Sequence, residues 1–579
     1  MKILAKVLAL RYGEVLDSVI DGTQTAFVPG RDIADNVLCH LEEVDYLAAV
    51  QQPGVVLFLD FEKAYDRLDR GWLFQSMASL GFPPSALRWV QLLLQGTVGR
   101  ILYNGGFQSR QFNIESGCAQ GSPLSPLLYV IAAQPLAAKC RQVQRDQQGF
   151  SSIVMPDGTP APVCHQHADD TTLHAASPPS LQQLITLAVR PYCRASGGQL
   201  NVDKSRGLVM GSHAAINGVE PLTGILFPDT SLDPIRHLGI LLSSAGAAQQ
   251  HVDQLFRERL RTITWRIRHW SRYDLTVIGR CEVAKQILAS CLAYHIQFVA
   301  PSDNLLQLLH RRILAFIVGK GLLPEQQLPQ LKGSPSAAVA SLPKSMGGIA
   351  QVDIRAHASA LQAKVAARLL WPHRQPWKVY MRHAFERCIP GLGVAVLVQQ
   401  SRHAGTAALQ PRHQLYLTAF RQIGLQRHVP HEQMSRQQIQ LEPLVGNHSV
   451  CQPTTGQMLT SAVHLPQQFQ QLPKMTLGAA CEAAHQELPP PGLLLPAAWI
   501  ATLQSPAPQD PWQVSTDGQW VRAQAAGGAQ YYRVLSSAQL QRLPLQEVPV
   551  AITAAGVIWH SCCVVDTAAV MHPEAIKRQ

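Results

Sequence analysis

The sequence is poor in charge, and its cysteines form no recognisable pattern. Charged residues make up 15% of the 579 residues and apolar residues 46%, which is enough for most of the chain to fold. The twelve cysteines include no Cys-x-x-Cys pair, so their spacing indicates neither a disulfide framework nor a zinc site. Reduced thiols fit the cytosol or nucleus, and we expect an intracellular protein of the nucleus, the cytoplasm or both.

Long apolar runs are also missing. Lys6 and Arg11 interrupt the N-terminal run, which excludes the apolar core of a secretory signal peptide. The most apolar internal stretch, residues 127–138, contains Gln134 and Pro135 and is too short to cross a bilayer. We therefore expect no membrane partner.

The net charge is the first positive signal. Lys and Arg (49) outnumber Asp and Glu (38), which gives a formal charge of +11 and a pI near 9.1. This balance suits a polyanionic partner, because each neutralised phosphate releases condensed counterions. A generally basic surface is an equally good interpretation of the pI alone.

The length exceeds what one core can hold, and we expect two to four domains. The residue pattern changes several times along the chain. It predicts alternating strands, turns and helices for residues 1–212, long arginine-rich helices for 251–320, a connector for 321–345, a helical stretch for 350–388, a linker around 489–491, and a small β-rich unit in the last 70 residues.

A carboxylate follows the clearest strand signal. Residues 55–59, Val-Val-Leu-Phe-Leu, are a short apolar run with β-branched residues, which is typical of a buried strand. Asp60 comes directly after it. A carboxylate at the end of a buried strand is held rigidly at a sheet edge, and that placement suits a metal ligand.

Two further carboxylates, Asp169 and Asp170, are adjacent between β-prone residues, a pattern that predicts two strands joined by a tight turn. Their repulsion should raise the pKa of one of them, and a divalent cation would offset that cost. With Asp60 they could hold two Mg²⁺ ions about 3.5–4 Å apart, a spacing suited to in-line phosphoryl displacement, with Mn²⁺ as an alternative metal. Taken alone, the Asp-Asp pair is more simply a turn with solvated charges.

A loop and helix start lie between the acidic elements. Gly121 allows close backbone approach, Ser122 is a favourable N-cap, and Pro123 suits the first helical position. An apolar helix is predicted from residue 124 to about 140. Such a loop can cradle a nucleotide or a nucleic-acid backbone, and an ordinary capped helix is the alternative.

The order of these elements resembles the reverse transcriptases of LINE-type (non-LTR) retrotransposons. Residues 59–69 resemble the first catalytic block of that family, residues 120–126 its QG-x-PLSP block, and residues 167–170 its Y/F-A-D-D block. Four more blocks in the same order are similar to residues 24–36, 98–117, 198–205 and 236–240. The resemblance covers about residues 1–320.

The resemblance implies an α+β fold, a right-hand polymerase palm in which an antiparallel sheet packs with helices. It divides the chain into four regions: truncated fingers and palm in residues 1–212, primer grip and helical thumb in 213–320, a connector and helical segment in 321–394, and a low-complexity linker with a small C-terminal unit of unknown function in 395–579.

It also implies catalytic residues. Asp60, Asp169 and Asp170 would be catalytic and would bind the metal ions, with Phe61 completing the metal set. Lys204 would protonate or neutralise the departing pyrophosphate. A solvated surface lysine is the alternative for that residue.

For nucleotide binding, the resemblance implies Tyr65, Gln120, Gly121 and Arg31. Tyr65 would be the aromatic gate that clashes with a ribose 2′-hydroxyl and so selects deoxynucleotides. Gln120 and Gly121 would pack near the incoming nucleotide and the template base. Arg31 would touch the triphosphate, with simple loop closure as its alternative.

For nucleic-acid binding, the resemblance implies His167, Leu238 and Gly239. His167 departs from the family, which has an aromatic residue there, but its ring can still pack under a primer terminus. Cys164, His165 and His174 lie nearby and, with His167, could suggest zinc. Strand alternation would send Cys164 and His165 to opposite faces, and no second ligand cluster exists, so we do not expect zinc. The chain also begins just inside the fingers, without an endonuclease domain, which predicts a fragment or a decayed copy.

The arginine-rich helices are predicted to bind template and primer as a thumb. Leu255, Leu260, Ile263 and Ile267 recur at helical spacing and supply a core face. Basic residues on the remaining surface can lie along a phosphate backbone, and a solvated helix face is the alternative. The arginines predicted to bind nucleic acid are Arg257, Arg261, Arg268 and Arg272.

The expected function is RNA-directed DNA polymerisation, in which a DNA primer is extended on an RNA template with dNTPs. The main alternative is a truncated, inactive retrotransposon remnant that binds nucleic acid. A group II intron maturase or another cellular polymerase fits the blocks less well. Asp517 lies in a segment that hints at an RNase H strand, but too few residues follow it for such a domain.

Overall fold

The computed structural model divides into two compact units, residues 1–251 with 375–380 and residues 252–374 with 381–579. The first unit thus continues past residue 212, where the sequence predicted the palm to end. The residues that the structure describes are 2–104, 106–244, 246, 248–328, 340–342, 344–370, 375–389, 393–398, 404–423, scattered parts of 439–504, and short strands between 512 and 557.

The first unit is a mixed α and β structure. Its elements in chain order are α1 (Lys2–Val19), α2 (Ile33–Val50), β1 (Pro53–Phe61), α3 (Ala64–Arg67), α4 (Arg70–Ser79), α5 (Pro84–Leu94), β2 (Val98–Gly99), β3 (Leu102–Tyr103), β4 (Phe107–Gln108), β5 (Phe112–Asn113), α6 (Ser125–Asp146), β6 (Cys164–His167), β7 (Asp170–Ala175), α7 (Pro178–Leu184), a π-helical turn (Ile185–Val189), α8 (Arg190–Ser196), β8 (Leu200–Gly211), β9 (Gly218–Val219), β10 (Leu226–Phe227), β11 (Ile235–His237) and β12 (Ile240–Leu242).

A six-stranded sheet forms the centre of this unit, in the order β6-β7-β1-β8-β10-β9. Strand β1 pairs antiparallel with β7 on one side and with β8 on the other. Its residues Val55, Val56 and Leu57 are at most 1% exposed, because helices and strands cover both faces. The buried strand predicted before Asp60 is therefore confirmed, and β9 and β10 extend the sheet beyond residue 212.

Helix α6 supplies much of the core beside the sheet. Leu128, Ile131 and Leu136 are at most 2% exposed, and burial of each such side chain stabilises the fold by about 1.5–3 kcal/mol. The helix begins at Ser125, one residue after the predicted start. The predicted N-cap was wrong, because Leu124 is the N-cap residue and Ser122, two residues earlier, accepts a hydrogen bond from the Leu124 N–H at 3.4 Å.

Four histidines meet around the β6–β7 hairpin. The His40 ring centroid lies 5.0 Å from His174, 5.0 Å from His237 and 5.8 Å from His165. The His174 Nδ1 is 2.5 Å from a Glu43 oxygen. Burial lowers the pKa of all four imidazoles, to about 4 for His40, and raises the pKa of Glu43. We call these five residues the histidine cluster.

Two residues of the segment 375–380 complete the surroundings of this cluster. The Tyr380 hydroxyl donates to Glu43 Oε1 at 3.2 Å, and the Trp377 Nε1 donates to Asp35 Oδ1 at 2.7 Å. Both aromatic side chains are at most 1% exposed. Burial raises the pKa of Tyr380 and of Cys39, so both stay neutral below pH 8.

The histidine cluster predicts a loss of stability in acid. An imidazole whose pKa is lower in the folded than in the unfolded protein stabilises the fold fully above pH 6.5 and loses that contribution as the pH falls toward its folded value. The raised pKa of Glu43 has the opposite effect on stability in acid, but it is one group against four histidines. We expect the free energy of unfolding in urea to fall by at least about 2 kcal/mol between pH 7.5 and 5. His237→Leu should flatten this dependence, whereas replacing His213, a half-buried histidine outside the cluster, by Gln should not. Equal slopes for both variants would contradict the account.

The second unit begins with helices. Its elements are α9 (Gln249–Trp270, in this unit from Val252), α10 (Val277–Val283), a π-helical turn (Ala284–Ala289), α11 (Ser290–Ile296), α12 (Asp303–Ile317), short 3₁₀ turns (Glu325–Gln327, Lys344–Met346), α13 (Ile354–Leu370), α14 (Pro376–Cys388, in this unit from Met381), 3₁₀ turns (Gly393–Val398, Ala404–Ala408), α15 (Pro411–Arg421), a 3₁₀ turn (Gln467–Phe469), α16 (Leu477–Ala483), α17 (Ala497–Gln504), β13 (Trp512–Val514), β14 (Trp520–Ala525), β15 (Gly528–Arg533), β16 (Ile552–Thr553) and β17 (Gly556–Val557).

The predicted apolar face of α9 is confirmed. Leu255, Leu260, Ile263 and Ile267 are at most 7% exposed. Spacings of five, three and four residues put them on one broad stripe of the helix. This leaves Arg257, Arg261 and Arg268 on the exposed side. Among the helices that the structure describes, none is long and apolar enough to cross a membrane.

The region after residue 395 is more structured than predicted. Buried residues between Ile439 and Leu503 form a separate apolar core around Phe469 and Trp499, which are both fully buried. Pro490, predicted to mark a linker, is buried and its carbonyl accepts a hydrogen bond from Leu493 at 3.1 Å. The sequence predicted a linker here, and proline-rich sequence can also line a packed turn. Strands β13–β17 lie in the last 70 residues, for which the sequence predicted a small β-rich unit. Both domain assignments stay predictions.

Candidate catalytic site

Strand β1 positions the first predicted carboxylate. Asp60 lies at its end and is half-buried. The register between β1 and β8 shifts between Phe58 and Asp60, so the strand is irregular at this point. The Asp60 N–H donates to Ser205 Oγ at 3.1 Å, and this hydroxyl donates in turn to the Asn201 carbonyl at 2.7 Å. Ser205, which is fully buried, therefore fixes the backbone that carries the carboxylate.

The predicted hairpin carries the other two carboxylates, Asp169 and Asp170. Strands β6 and β7 pair antiparallel, with His167 opposite Asp170, so Ala168 and Asp169 form the turn. In the β1–β7 pairing Leu59 lies opposite Thr171, and one further step places Asp60 beside Asp170 on the adjacent strand. The register therefore puts the backbones of Asp60 and Asp170 next to each other, with Asp169 in the adjoining turn.

The charges in this region act on each other. Partial burial of the Asp170 carboxyl, together with the negative charges of Asp169 and Asp60, raises its pKa to about 6. Asp170 still keeps an exposed surface, so solvent screens part of this repulsion. Like-charged carboxylates held on neighbouring strands favour a cation between them.

Among the residues that the structure describes, no three His, Cys, Asp or Glu side chains are arranged to hold a metal ion as they stand. The donor chemistry of Asp60, Asp169 and Asp170 nevertheless fits a divalent cation, because Mg²⁺ and Mn²⁺ prefer hard oxygen ligands. The Phe61 ring packs near Tyr192 and has no oxygen to offer, so the only ligand this residue could supply is its carbonyl oxygen. The metal roles of these residues remain predictions.

Tyr65, the predicted gate, packs against a second aromatic ring that the sequence did not reveal. Tyr65 lies on α3, and its ring stacks on Tyr129 of α6 with centroids 4.4 Å apart and planes at 24°. The Tyr65 carbonyl accepts from the Cys118 N–H at 3.0 Å. A Cβ at Gly117 would lie 2.7 Å from that carbonyl oxygen, so only glycine permits this approach. Burial raises the pKa of Tyr65 to about 12, which keeps its hydroxyl neutral.

The family comparison agrees with this geometry. Residues 1–242 match the model of the family described as reverse transcriptase (RNA-dependent DNA polymerase). Residues 1–242 therefore form a reverse transcriptase domain.

Three relatives show the retrotransposon connection of this reverse transcriptase domain. The chain is 28% identical over 402 residues to the Transposon TX1 uncharacterized 149 kDa protein of Xenopus laevis, which is 68% of this chain and 28% of that protein. It is 24% identical to the RNA-directed DNA polymerase from mobile element jockey of Drosophila melanogaster, over 42% of this chain and 26% of that protein. For the Pol polyprotein of the type-2 retrotransposable element R2DM from the same fly, identity is 26% over 32% of this chain and 16% of that protein.

The chain thus spans between 16% and 28% of the length of these three relatives. Among solved structures, it is similar to apo telomerase from Candida tropicalis (10% identity, TM-score 0.33, 55% of this chain and 54% of that chain). Telomerase from Candida albicans, solved with a TWJ fragment of telomeric RNA, gives 12% identity and a TM-score of 0.32 over 55% of this chain and 47% of that chain. At such low scores the assignment rests on the sequence family.

In the reverse transcriptase domain, Gln120 and Gly121 lie on the exposed loop before α6. The Gln120 amide donates to Asp66 Oδ1 at 3.1 Å, one residue after the gate Tyr65. Gly121 has a φ of 84°, and a Cβ there would meet nothing within 4 Å. Glycine is therefore required for the turn itself and leaves open space above it, which suits the predicted nucleotide contact.

Arg31 has a different place from the one predicted. Its guanidinium donates to Asp17 and to the carbonyl oxygens of Ile20, Asp21 and Gln24, so all five N–H groups are used inside the loop. The side chain is 9% exposed. The predicted triphosphate contact of Arg31 is corrected by this arrangement, because no donor is left for a ligand; loop closure, its alternative, is what the structure shows.

The remaining predicted residues lie in three places. Lys204 is exposed on β8. His167 lies in the hairpin, where burial lowers its pKa and its Nδ1 is 3.0 Å from the Thr25 hydroxyl. Leu238 and Gly239 are half-buried and have φ values of 44° and 78°, which make the tight turn between β11 and β12. Their predicted contacts with nucleic acid or pyrophosphate stay predictions.

The predicted basic face lies in the second unit. Arg257, Arg261 and Arg268 are exposed and line a cavity of about 640 Å³, whereas exposed Arg272 lies outside its lining. Trp265 and Arg312 also line this cavity, and Arg312 was not predicted from the sequence. The Arg312 Nη1 donates to the Gly321 and Leu323 carbonyls, which anchors its charge at the cavity wall. Four arginines around one cavity suit an anion such as a phosphate group.

Proposed function

We propose that this chain is an RNA-directed DNA polymerase of a non-LTR retrotransposon, which extends a DNA primer on an RNA template. The observation that carries the proposal is the strand register that places Asp60 beside Asp170, with their negative charges acting on each other, in a reverse transcriptase domain. The substrates would be dNTPs.

Asp60, Asp169 and Asp170, with the backbone of Phe61, would hold two divalent cations. Bound Mg²⁺ or Mn²⁺ would supply charge neutralisation for an in-line displacement at the α-phosphate of the nucleotide. Lys204, exposed on β8, would neutralise the departing pyrophosphate.

Tyr65 would select the sugar. Its ring is held by the stack on Tyr129, so it can exclude a ribose 2′-hydroxyl by contact instead of yielding to it. Gln120 and Gly121 would lie against the incoming nucleotide, and the His167 ring would pack under the primer terminus together with the turn at Leu238 and Gly239.

Residues 213–320 would act as primer grip and thumb. The exposed arginines of α9 would contact phosphates without reading sequence, so binding should weaken steeply with salt. All ten cysteines within the described part of the chain are free thiols, which supports an intracellular site of action in the nucleus, the cytoplasm or both.

The basic face makes a separate prediction. Replacing Arg261 by Gln should weaken template–primer binding and reduce the slope of log K against log salt by about 1, because one phosphate contact is lost. Fluorescence anisotropy with an RNA–DNA hybrid between 50 and 300 mM KCl measures that slope. Arg88→Gln, which removes an exposed charge from α5 of the first unit, is the matched control and should leave the slope unchanged. An unchanged slope for Arg261→Gln would remove this residue from the interface.

Primer extension on poly(rA)/oligo(dT) tests the proposed function. We expect the wild-type chain to incorporate dTTP in the presence of Mg²⁺ or Mn²⁺ and to stop when EDTA is added. A chain that binds this template–primer but incorporates nothing with either metal would favour the alternative, a nucleic-acid-binding remnant.

A further inference from the structure

A short segment, residues 23–26, runs along the free edge of the central sheet beside β6. Gln24 forms a parallel bridge with Gln166. The Thr25 N–H donates to the Gln166 carbonyl at 2.9 Å, and the Gln166 N–H donates to the Thr23 carbonyl at 3.1 Å. We call residues 23–26 the strap. It acts as an extra strand for the hairpin that carries Asp169 and Asp170.

The Gln24 side chain grips the peptide that precedes Asp169. Its Oε1 accepts the Ala168 N–H at 3.0 Å, and its Nε2 donates to the Ala168 carbonyl at 3.4 Å. The same Oε1 accepts the Ala26 N–H at 3.0 Å. Gln24 is 1% exposed, so these hydrogen bonds form away from water, where the loss of a partner is most costly.

Ala168 needs such support. Its φ is 57°, in the left-handed region that costs a residue with a Cβ about 1–2 kcal/mol. Backbone strain of this kind persists only where the surroundings hold it. Because Asp169 follows directly, the orientation of its carboxylate depends on this strained peptide.

The strap is anchored from its other side. The Arg31 guanidinium donates to the carbonyl oxygens of Gln24 and Asp21. The Asp21 N–H donates to Gln134 Oε1 of α6 at 2.8 Å, and the Thr25 hydroxyl lies 3.0 Å from His167 Nδ1. Gln24 therefore joins two fixed structures, the α6 core and the turn.

We propose that Gln24 is a positioning residue that orients the Asp169–Asp170 turn for binding divalent metal. The inference rests on the proposed function for the identity of the metal site, and it goes beyond that function by assigning metal affinity to a residue that touches neither metal nor substrate. Residues behind a metal ligand typically change affinity by about 10–100-fold when replaced.

The same hairpin offers a matched control. Gln166 is 1% exposed, and its side-chain oxygen has no hydrogen-bond partner among the described residues. The strap uses only the Gln166 backbone, so Gln166→Met removes a buried amide from the hairpin without disturbing the grip on Ala168. Gln24→Met removes the grip while keeping the volume of the side chain.

The test measures Mn²⁺ binding by electron paramagnetic resonance on the full chain without nucleotide, next to the Mg²⁺ concentration for half-maximal dTTP incorporation. We expect Gln24→Met to weaken both about tenfold, and Gln166→Met to leave both within about twofold, at comparable thermal midpoints. Gln24→Glu keeps the acceptor oxygen for Ala168 and Ala26, so its metal affinity should lie between those of wild type and Gln24→Met. It replaces Gln24→Met in the test if Gln24→Met does not fold.

Wild-type affinity in Gln24→Met, or an equal loss in Gln166→Met, would overturn the inference, as would a wild-type chain that binds no Mn²⁺. A wild-type chain that binds Mn²⁺ but incorporates no dTTP would count against the proposed function alone. In that case the Mn²⁺ affinities of the variants still decide the role of Gln24.

Discussion

Replacement of Asp60 by Asn is expected to lower the rate of dTTP incorporation by at least about 10³-fold. The amide keeps the shape of the side chain but removes the charge that would bind metal, and metal catalysis supplies several kcal/mol of charge stabilisation, with each 1.36 kcal/mol worth a factor of ten. The hydrogen bond from the Asp60 N–H to Ser205 involves only the backbone, so the fold should be retained. Steady-state primer extension on poly(rA)/oligo(dT) measures the rate.

The control for Asp60→Asn is its affinity for the template–primer. Affinity for the template–primer, measured by fluorescence anisotropy, should stay within about twofold of wild type, because the phosphate contacts are assigned to arginines of the second unit. The neighbouring variant Asp66→Asn removes a carboxylate of the same type that accepts from Gln120, and it should lower the rate far less. Equal losses in the two variants would mean that Asp60 has no special place in the chemistry.

Replacement of Tyr65 by Ala is expected to reduce the preference for dTTP over UTP by about 10–100-fold. A pocket wall that excludes a substituent by contact discriminates by about 1–3 kcal/mol, and Ala leaves room for the 2′-hydroxyl. The ratio of kcat/KM for the two nucleotides on poly(rA) measures this preference.

Tyr129 provides the matched comparison for the gate. Tyr129→Phe keeps the ring that stacks 4.4 Å from Tyr65 and should preserve the selectivity, whereas Tyr129→Ala frees the Tyr65 ring and should lose part of it. If Tyr65→Ala kept the wild-type ratio, Tyr65 would not be the gate.

The parts of the site that follow from contiguous residues could be predicted from the sequence. The apolar run before Asp60 and the β-prone residues around Asp169 and Asp170 encode their strands locally, and the structure contains both. The core face of α9 followed from helical spacing in the same way. Locally encoded elements were predictable because a few neighbouring side chains decide them.

The residues that support the site could not be found in this way. Ser205 is 145 positions from Asp60 and Gln24 is 144 positions from Ala168, so only the folded chain brings them together. Tyr129 looked like one more apolar position of α6, although it supports Tyr65. Buried polar side chains of this kind carry no periodic signal, since their partners lie on other elements.

The histidines near the hairpin show the same limit. The sequence suggested His165 and His174 as zinc ligands only to argue against zinc, and gave them no other role. In the structure they meet His40 from α2 and His237 from β11, which are far away along the chain. They form buried contacts with one another, and long-range packing determines these contacts.

Template-directed synthesis tests the central claim most directly. A DNA primer annealed to an RNA of mixed sequence is incubated with all four dNTPs, and the products of wild type, Asp60→Asn and Asp169→Asn are sequenced. We predict extended DNA complementary to the RNA for wild type and none above background for either variant, although both variants bind the primer–template. Products that ignore the template sequence, or complementary DNA made equally well by Asp169→Asn, would contradict the account.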